Sequence, residues 1–497
     1  MKKQYRSWAP EQAYLLPPSP LEWLPEGHLA FFVLEVVREL DLGAIETALQ
    51  AKDPRGERPY SPRMMTGLIL YGYCTGVFSS RKIERATHED VPFRVIAGGA
   101  HPHFTTVNEF RLVHRMALAG LFTQVLTLCS RAGLKTLGHV SLDGSKVQAN
   151  ASKHKAMSYG RMKTDEKRLA EEVEGLLRRA EEIDAREDSE LGPNSIGDEI
   201  PVELRHRETR LKRIRELKAE LEKEAAEERA RQLKANAVGL EAKVEEIGIA
   251  PKARKEAAAL AKRARKKAEE LSPPRNDDDD DDDGSGGTQL SLHRVPVTAD
   301  GKPKDKAQRN FTDGDSRIMI RNGVFMQAYN AQALVSEDQI IVAHGVTNNG
   351  ADTEQLMPML NRMRESAGAM ATELTADNGY LSEENAEFCA RNGVDAFVSL
   401  RKKDAERRDF PPTMPGDHFR FAMQMKLASA RGRELYPKRK VIVEPVFGQV
   451  KGAMGFRRFS LRGLLKVPSE WAIVSTCHNL LKLFRAGGIN GLTPATM

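Results

Sequence analysis

The stretch "VFMQAYNAQALVSEDQIIVAHGVT", from Val324 to Thr347, decides the fold class of this 497-residue chain. Two apolar runs flank the polar segment "SEDQ", a pattern typical of two neighbouring strands joined by a hairpin. A two-stranded hairpin is only marginally stable by itself, so the flanking sequence must supply the rest of the sheet.

Helices and strands alternate after this hairpin. The segments "DTEQLMPMLNRMRES" and "LSEENAEFCARNG" are predicted helices, and each is followed by a short predicted strand, "ATELTADNGY" or "VDAFVSLR". Before the hairpin, "LGHVSLDGSKVQANAS" is a further predicted strand, whose apolar run ends at Asp143-Gly144. From about Val441 the chain is mainly helical. This order predicts a mixed sheet covered by helices, an α/β layer architecture.

The first 135 residues have the apolar spacing of helices. "SPRMMTGLILYGYCTG" begins with Ser61 as an N-cap and Pro62 in the first turn. "FTTVNEFRLVHRMALAGLFTQVLTLCSRAG" predicts one long amphipathic helix that ends at Gly133. Basic residues between these segments suit a helix-turn-helix-like DNA-binding module, and a plain helical bundle fits almost as well.

A highly charged segment separates the first predicted strand from the hairpin. From about Gly160 to Leu271 the sequence is rich in Glu, Lys, Arg and Ala, which is typical of long helices or coiled coils. The break "DSELGPNSIGDEIP" near 188–201 predicts an antiparallel helical hairpin. The following "SPPRNDDDDDDDGSGG" is the composition of a disordered tether.

Composition argues against several classes of protein. The four cysteines form no CxxC pair, which argues against a zinc site and against a disulfide scaffold. The N-terminal "MKKQYRSWAPEQ" is not followed by an apolar run, and no segment approaches the roughly 20 apolar residues of a membrane helix. We therefore expect a cytoplasmic protein with no membrane partner.

Positive charge is concentrated near the C-terminus. The formal net charge of the chain is +6, yet between Arg431 and Arg485 there are twelve Lys or Arg against three Glu. Such a concentration indicates a polyanion partner, most often nucleic acid, although a basic solvated helix face has the same composition. Within it, "YPKRKVIVEPVFGQVKG" (436–452) surrounds the single acid Glu444 with Lys438, Arg439, Lys440 and Lys451.

Three acids stand at positions that suit metal binding. We expect Asp143 and Asp377 at the ends of strands, where ligands of open α/β sheets bind, and Glu444 at the start of the final helix. Together they suit two Mg²⁺ or Mn²⁺ ions that serve phosphodiester cleavage. Each acid also has an ordinary interpretation, as a turn residue or as a partner of the helix dipole.

The chain resembles the bacterial insertion-sequence DDE transposases. The motifs that carry the resemblance are "SLDGSKVQANAS", "TADNGY" and "YPKRKVIVEPVFGQVKG". The last is similar to the Y-R-E-K signature of the cut-and-paste superfamily, here Tyr436, Arg439, Glu444 and Lys451. The usual gap of three residues before the Glu is met by Lys440 rather than Arg439, so either cation fits the signature.

The resemblance implies a fold, an activity and partners. It implies a ribonuclease H-like catalytic core whose Asp143, Asp377 and Glu444 bind two Mg²⁺ or Mn²⁺ ions per active site. It implies double-stranded DNA as partner, both as transposon ends and as target, and a homodimer in the DNA complex at the bacterial nucleoid. Contacts with DNA are expected from Tyr436, Arg439 or Lys440, and Lys451.

This interpretation divides the chain into five parts. We expect a helical N-terminal DNA-binding domain at 1–135 and the first core strand, with its catalytic Asp, at 136–159. A charged helical hairpin and linker at 160–311, the rest of the catalytic domain at 312–486 and a tail at 487–497 follow. Two alternatives stay open: a catalytically silent, transposase-derived DNA-binding protein, and a structural coiled-coil protein.

Overall fold

The computed structural model describes residues 19–51, 58–191, 202–245, 251–272, 288–401 and 417–488. The predicted Asp-rich tether and most of the predicted C-terminal tail lie outside these ranges. So does most of the break predicted near 188–201.

The described residues before the first strand are helical, as the sequence predicts. After a 3₁₀ turn at Pro20–Trp23 come α1 (Leu29–Glu39), α2 (Gly43–Gln50), α3 (Pro62–Cys74), α4 (Ser80–Glu89), α5 (Val91–Ala97), α6 (Phe104–Val113) and α7 (Arg115–Arg131). The prediction of one long helix from Phe104 is wrong, because the chain leaves helical geometry at His114. The break lets α6 pack on α3 and α4, while α7 packs along the helix Val467–Arg485.

Membrane-length helices are not found among the described residues. No single described helix is both long and apolar enough to cross a bilayer, and α6 with α7 meets that test only as a pair bent by 71°.

A mixed sheet forms the centre of the protein. The strands are β1 (His139–Gln148), β2 (Ala156–Ser158), β3 (Gln308–Asn310), β4 (Arg317–Arg321), β5 (Val324–Ser336), β6 (Ile341–Thr347), β7 (Glu373–Ala376) and β8 (Asp395–Val398). Six of them form the main sheet in the order β4-β5-β1-β7-β8, with β6 also paired to β5. The β5 strand is antiparallel to β1, β4 and β6, whereas β1, β7 and β8 are parallel.

The predicted hairpin is β5 and β6, and the predicted strands on either side of it are β1, β7 and β8. The sequence interpretation missed β4, which joins β5 through Asn322-Gly323 with φ values of 50° and 74°. Such left-handed values at both positions suit a tight two-residue hairpin turn.

The charged segment forms three helices, α8 (Tyr159–Leu191), α9 (Val202–Glu245) and α10 (Pro251–Leu271), so the prediction of a two-helix hairpin was incomplete. Ion pairs show that α8 and α9 run antiparallel, since Glu166 meets Arg215 and Glu172 meets Arg207, both at 3.2 Å. Alanine and leucine side chains close the contact between α9 and α10.

The segments before and after the three charged helices lie side by side, at strands β2 and β3. The short strands β2 and β3 pair antiparallel, and a hydrogen bond from the Tyr159 N–H to the Ala307 carbonyl at 2.8 Å joins the next pair of residues. Glu224 on α9 forms ion pairs with the nearly buried Arg309 and Arg317, which ties the helices to the sheet.

The remaining helices complete both faces of the sheet. They are α11 (Leu356–Ala367), α12 (Glu383–Arg391), α13 (Asp417–Ala428), α14 (Ala430–Leu435), α15 (Arg439–Gly448) and α16 (Val467–Arg485). The last of them, α16, is largely buried and packs against α3, α7 and β6. The N-terminal helices and the sheet therefore share one continuous apolar core.

A buried polar network reinforces this junction. The Glu470 carboxylate on α16 is fully buried and accepts hydrogen bonds from the N–H groups of Ser460 and Leu461, at 2.9 to 3.1 Å. It also accepts from the Tyr73 hydroxyl on α3 at 3.2 Å, and Arg111 on α6 donates to that hydroxyl at 3.0 Å. The network connects three segments that are far apart in sequence.

Candidate active site

Two of the three predicted acids lie next to one another across the sheet. The parallel pairing of β1 with β7 ends at Leu142 and Ala376, and the next residues are Asp143 and Asp377. Neighbouring strands are about 4.8 Å apart, so both carboxylates leave the sheet at the same place.

The expectation that Asp143 ends its strand is wrong. Asp143 lies in the middle of β1, which continues to Gln148 because β5 pairs with it along that length. What ends at Asp143 is the pairing with β7 alone, so β1 projects past its parallel neighbour. Asp377 does follow the last residue of β7, as predicted.

A local hydrogen bond orients each aspartate. The Gly144 N–H donates to Asp143 Oδ1 at 2.8 Å, and the Gly379 N–H donates to Asp377 Oδ1 at 2.9 Å. Burial raises the pKa of the Asp143 carboxyl to about 6, which Arg439 opposes and Asp377 reinforces. Desolvation and a neighbouring negative charge both disfavour the ionised form, whereas a nearby cation favours it.

The position of Glu444 also differs from the prediction. Glu444 is the sixth residue of α15 rather than its first, and α15 is followed by α16. A 3₁₀ turn at Tyr436–Lys438 leads into the helix, and Arg439 is its first residue. The side chain of Glu444 is 50% exposed.

Arg439 connects Glu444 to the sheet. Its guanidinium lies 3.3 Å from Asp143 Oδ2 and 3.6 Å from Glu444 Oε1. Burial lowers the pKa of Arg439, but the charges of Asp143, Tyr436, Asp377 and Glu444 together raise it above its ordinary value. Lys440 is exposed on the helix, whereas Arg439 is 15% exposed. Of the two cations that fit the signature, Arg439 is therefore the one that contacts the carboxylates.

The other signature residues flank this arrangement. Tyr436 is half-buried in the 3₁₀ turn, and its charge interaction with Arg439 indicates that the two are close. Lys451 lies in a π-helical turn, Gln449–Ala453, that follows α15 directly. Its ammonium donates to the Ser145 hydroxyl on β1. Burial lowers the pKa of Lys451 to about 8, and Asp143 opposes that shift.

The sequence interpretation missed a fourth acid, Asp352, which follows β6 in the segment "NNGADTEQ". Its Oδ1 accepts hydrogen bonds from Asn330 at 2.6 Å and Gln332 at 2.8 Å, both on β5. Lys146 on β1 lies 3.5 Å from the same oxygen. The only sequence signal was an acid shortly after a strand end.

No three Asp, Glu, His or Cys side chains in the described part of the chain are grouped tightly enough to hold a metal ion as they stand. The Arg439 guanidinium lies between Asp143 and Glu444, so a cation already neutralises part of this acidic site. The donor set is nevertheless hard carboxylate oxygen, the kind that Mg²⁺ and Mn²⁺ prefer.

Comparison with protein families now assigns the chain. A transposase domain (DUF772) matches residues 19–112, and a transposase DDE domain matches residues 297–480. The chain belongs to the insertion-sequence DDE transposases. No curated protein and no solved structure matches it significantly.

The two matches cover different parts of the transposase. The DDE match includes Asp377, Glu444 and Lys451, and it begins only after the charged helices. Asp143 lies outside both matches, so its assignment depends on its register with Asp377 and its contact with Arg439. The family suggests a metal-dependent nuclease that acts on DNA.

Proposed function

We propose that this transposase binds the ends of its own insertion sequence, cleaves the DNA there and joins the 3′-hydroxyl ends to target DNA. One observation carries the proposal: Asp143 and Asp377 follow the last pair of a parallel ladder, and a cation links Asp143 to Glu444 on α15. Acids from two strands and a helix are thereby brought to the same end of the parallel strands.

The fold supports this proposal. The order β6-β5-β1-β7-β8, with β5 antiparallel to the parallel strands, is consistent with a ribonuclease H-like core. Within this proposal we keep the domain division of 1–135, 136–159, 160–311, 312–486 and 487–497. In that division the three charged helices are an insertion into the core.

The proposed cofactor is two Mg²⁺ or Mn²⁺ ions, held by Asp143, Asp377 and Glu444. When bound, such ions activate the attacking water or 3′-hydroxyl and stabilise the leaving oxygen. The carboxylates of Asp143 and Asp377 are already oriented by backbone N–H groups, so they need little rearrangement. Arg439 must turn away from Asp143, and it then becomes available to a DNA phosphate.

The cationic residues hold the DNA in this proposal. Lys451 is directed along β1 by its contact with Ser145, beside the acids, where it can bind the phosphate next to the cleaved bond. Tyr436 and Arg439 contact the same backbone, with Lys440 at its edge. The N-terminal helices recognise the transposon end. Because an insertion sequence has two ends, two copies of the chain act together as a homodimer. We place this activity in the cytoplasm, at the nucleoid.

The test is strand cleavage of a duplex that carries the element's own end, with Mg²⁺ and with EDTA. Wild type should nick the end only with Mg²⁺, Glu444→Ala should bind without nicking, and Glu434→Ala should behave like wild type. Glu434 is the matched control because it is a nearby glutamate in surface ion pairs with Arg431 and Lys438. A folded wild-type protein that binds the end without cutting would favour a silent DNA-binding protein.

A further inference from the structure

The cluster of side chains around Asp352 is not used by the three-carboxylate site described above. We infer that Asp352 is a fourth carboxylate of that metal centre, with its Oδ2 as the ligand atom. The inference rests on the proposed function and extends it to a residue outside the three-acid signature.

The two oxygens of Asp352 have different surroundings. Asn330 and Gln332 donate to Oδ1 at 2.6 and 2.8 Å, and Lys146 approaches the same atom at 3.5 Å. Among the described residues, no hydrogen bond or ion pair to Oδ2 is found. One oxygen is therefore held by the sheet while the other remains available.

Asp143 and Asp377 are held in the same way. Each has Oδ1 fixed by the N–H of a following glycine, at 2.8 and 2.9 Å. The three aspartates interact electrostatically, since both Asp377 and Asp352 act on Asp143. Carboxylates that bind metals are typically fixed by a hydrogen bond to one oxygen, so Asp352 has the arrangement of a ligand.

Tyr380 fixes the orientation of this support. Its buried hydroxyl donates to Gln332 Oε1, so the amide nitrogen of Gln332 must face Asp352. Tyr380 belongs to the segment "TADNGY", three residues after Asp377. This motif therefore supplies one carboxylate directly and positions a second one through Gln332.

Two glycines leave space for Asp352. A side chain on Gly144 would clash with Gln332 and come within 2.9 Å of Asp352 Oδ1. A side chain on Gly379 would come within 3.0 Å of Asp377 Oδ1 and 3.4 Å of Asp352 Cβ. Neither glycine has a positive φ, so space rather than backbone conformation explains them. The Asp-Gly and Asp-Asn-Gly motifs thus have a role beyond turns.

An unpaired acceptor gives independent evidence for a ligand. Asn330 is fully buried, and its Oδ1 has no hydrogen-bond partner among the described residues. That oxygen lies 2.9 Å from the position that a Gly144 Cβ would take, and Asp352 Oδ1 lies at the same distance from it. A buried polar atom without a partner is costly, so its place beside Asp352 points to a bound, hydrated cation.

The direct test is binding of Mn²⁺ to the full chain without DNA, measured by titration calorimetry. Asp352→Asn should weaken Mn²⁺ binding by about tenfold or more. Asp300→Asn, at an exposed aspartate elsewhere, should bind Mn²⁺ like wild type. Gly379→Ala should also weaken binding, because its methyl group separates Asp377 from Asp352. Thermal unfolding confirms that each variant is folded.

Three outcomes decide the inference. Unchanged Mn²⁺ affinity in Asp352→Asn, with weakened binding in Asp377→Asn, overturns the inference and leaves the proposed function intact. Unchanged affinity in both variants and in Asp143→Asn overturns the proposed metal centre as a whole. Equal weakening in Lys146→Met shows that Asp352 acts only by holding Lys146, which also overturns the inference.

Discussion

Arg439 Nη1 lies 3.3 Å from Asp143 Oδ2 and joins the first residue of α15 to the middle of β1. Burial raises the pKa of the Asp143 carboxyl, and in the DNA-free protein the ion pair with Arg439 opposes that shift. In the proposed metal centre, the guanidinium and a divalent cation would need the same carboxylate, so they would compete for it. Under this proposal, Arg439 neutralises Asp143 until the cation binds.

This competition predicts opposite effects on metal and on DNA. Arg439→Gln should bind Mn²⁺ more tightly than wild type without DNA, because the competing cation is gone. Its cleavage of the transposon end should fall by about a hundredfold, since a phosphate-binding cation is lost. Lys440→Gln is the matched control, and it should leave Mn²⁺ affinity unchanged because Lys440 is exposed on the helix. Weaker Mn²⁺ binding in Arg439→Gln would contradict the competition.

Replacing either aspartate should separate binding from chemistry. Asp143→Asn and Asp377→Asn keep the size of the side chain, and both should reduce Mg²⁺-dependent nicking to background. End binding in a gel-shift assay should be retained or strengthened, because a negative charge near the DNA is removed. Nicking at the wild-type rate by either variant would show that its carboxylate is not a ligand.

Lys451 should account for one phosphate contact. Lys451→Met should weaken end binding for all sequences and reduce the slope of log affinity against log salt by about one. Lys466→Met is a control lysine from the same basic region, placed just before α16. An unchanged salt slope in Lys451→Met would mean that Lys451 serves the active site only through Ser145.

The buried network at Glu470 should dominate the stability of the junction. Glu470→Ala leaves the N–H groups of Ser460 and Leu461 without their acceptor and removes the partner of Tyr73. We expect a loss of about 3 to 5 kcal/mol in the free energy of unfolding, measured with urea. Glu434→Ala, at a surface ion pair, should change it by less than about 1 kcal/mol.

His478 predicts how stability depends on pH. Its ring is buried on α16, Nε2–H donates to the Gln339 carbonyl at 2.9 Å, and burial lowers its pKa from 6.5 to about 4. Below pH 6.5 the unfolded chain binds the proton more readily, so this contribution to stability is lost as the pH falls towards 4.

The expected slope is up to about 1.4 kcal/mol per pH unit from this residue. Between pH 7 and pH 5, wild type should therefore lose about 2 kcal/mol more than His478→Gln, in urea unfolding at the two pH values. Equal losses in the two proteins would show that the pKa of His478 is not lowered in the folded state.

Local sequence patterns predicted five of the six strands of the main sheet and missed β4. The hairpin of β5 and β6 has apolar strands of ordinary length around a short polar turn, so its signal is local. Asp377 was placed correctly because β7 ends at the residue before it. The motifs around Asp143, Asp377 and Glu444 were enough to select the family, which the domain matches confirm.

Features set by tertiary contacts were not predictable in this way. The length of β1 depends on pairing with β5, and the break at His114 depends on which helices α6 and α7 pack against. Asp352 gives only a weak local signal, an acid shortly after a strand, because Asn330 and Gln332 reach it only once β5 is in register with β6. Sequence spacing likewise left Arg439 and Lys440 equivalent, and only the phase of α15 distinguishes them.

The pairing of β2 with β3 has an evolutionary consequence. Three residue pairs bring Ala156–Ser158 and Gln308–Asn310 together, so the two ends of the intervening chain are already neighbours. The part of this segment that lies beyond Glu224 can change in length without moving β1 or β4, because lengthening a closed loop adds little free energy. Gains and losses of sequence in that outer part should therefore cost the architecture little, and relatives are free to differ there in length.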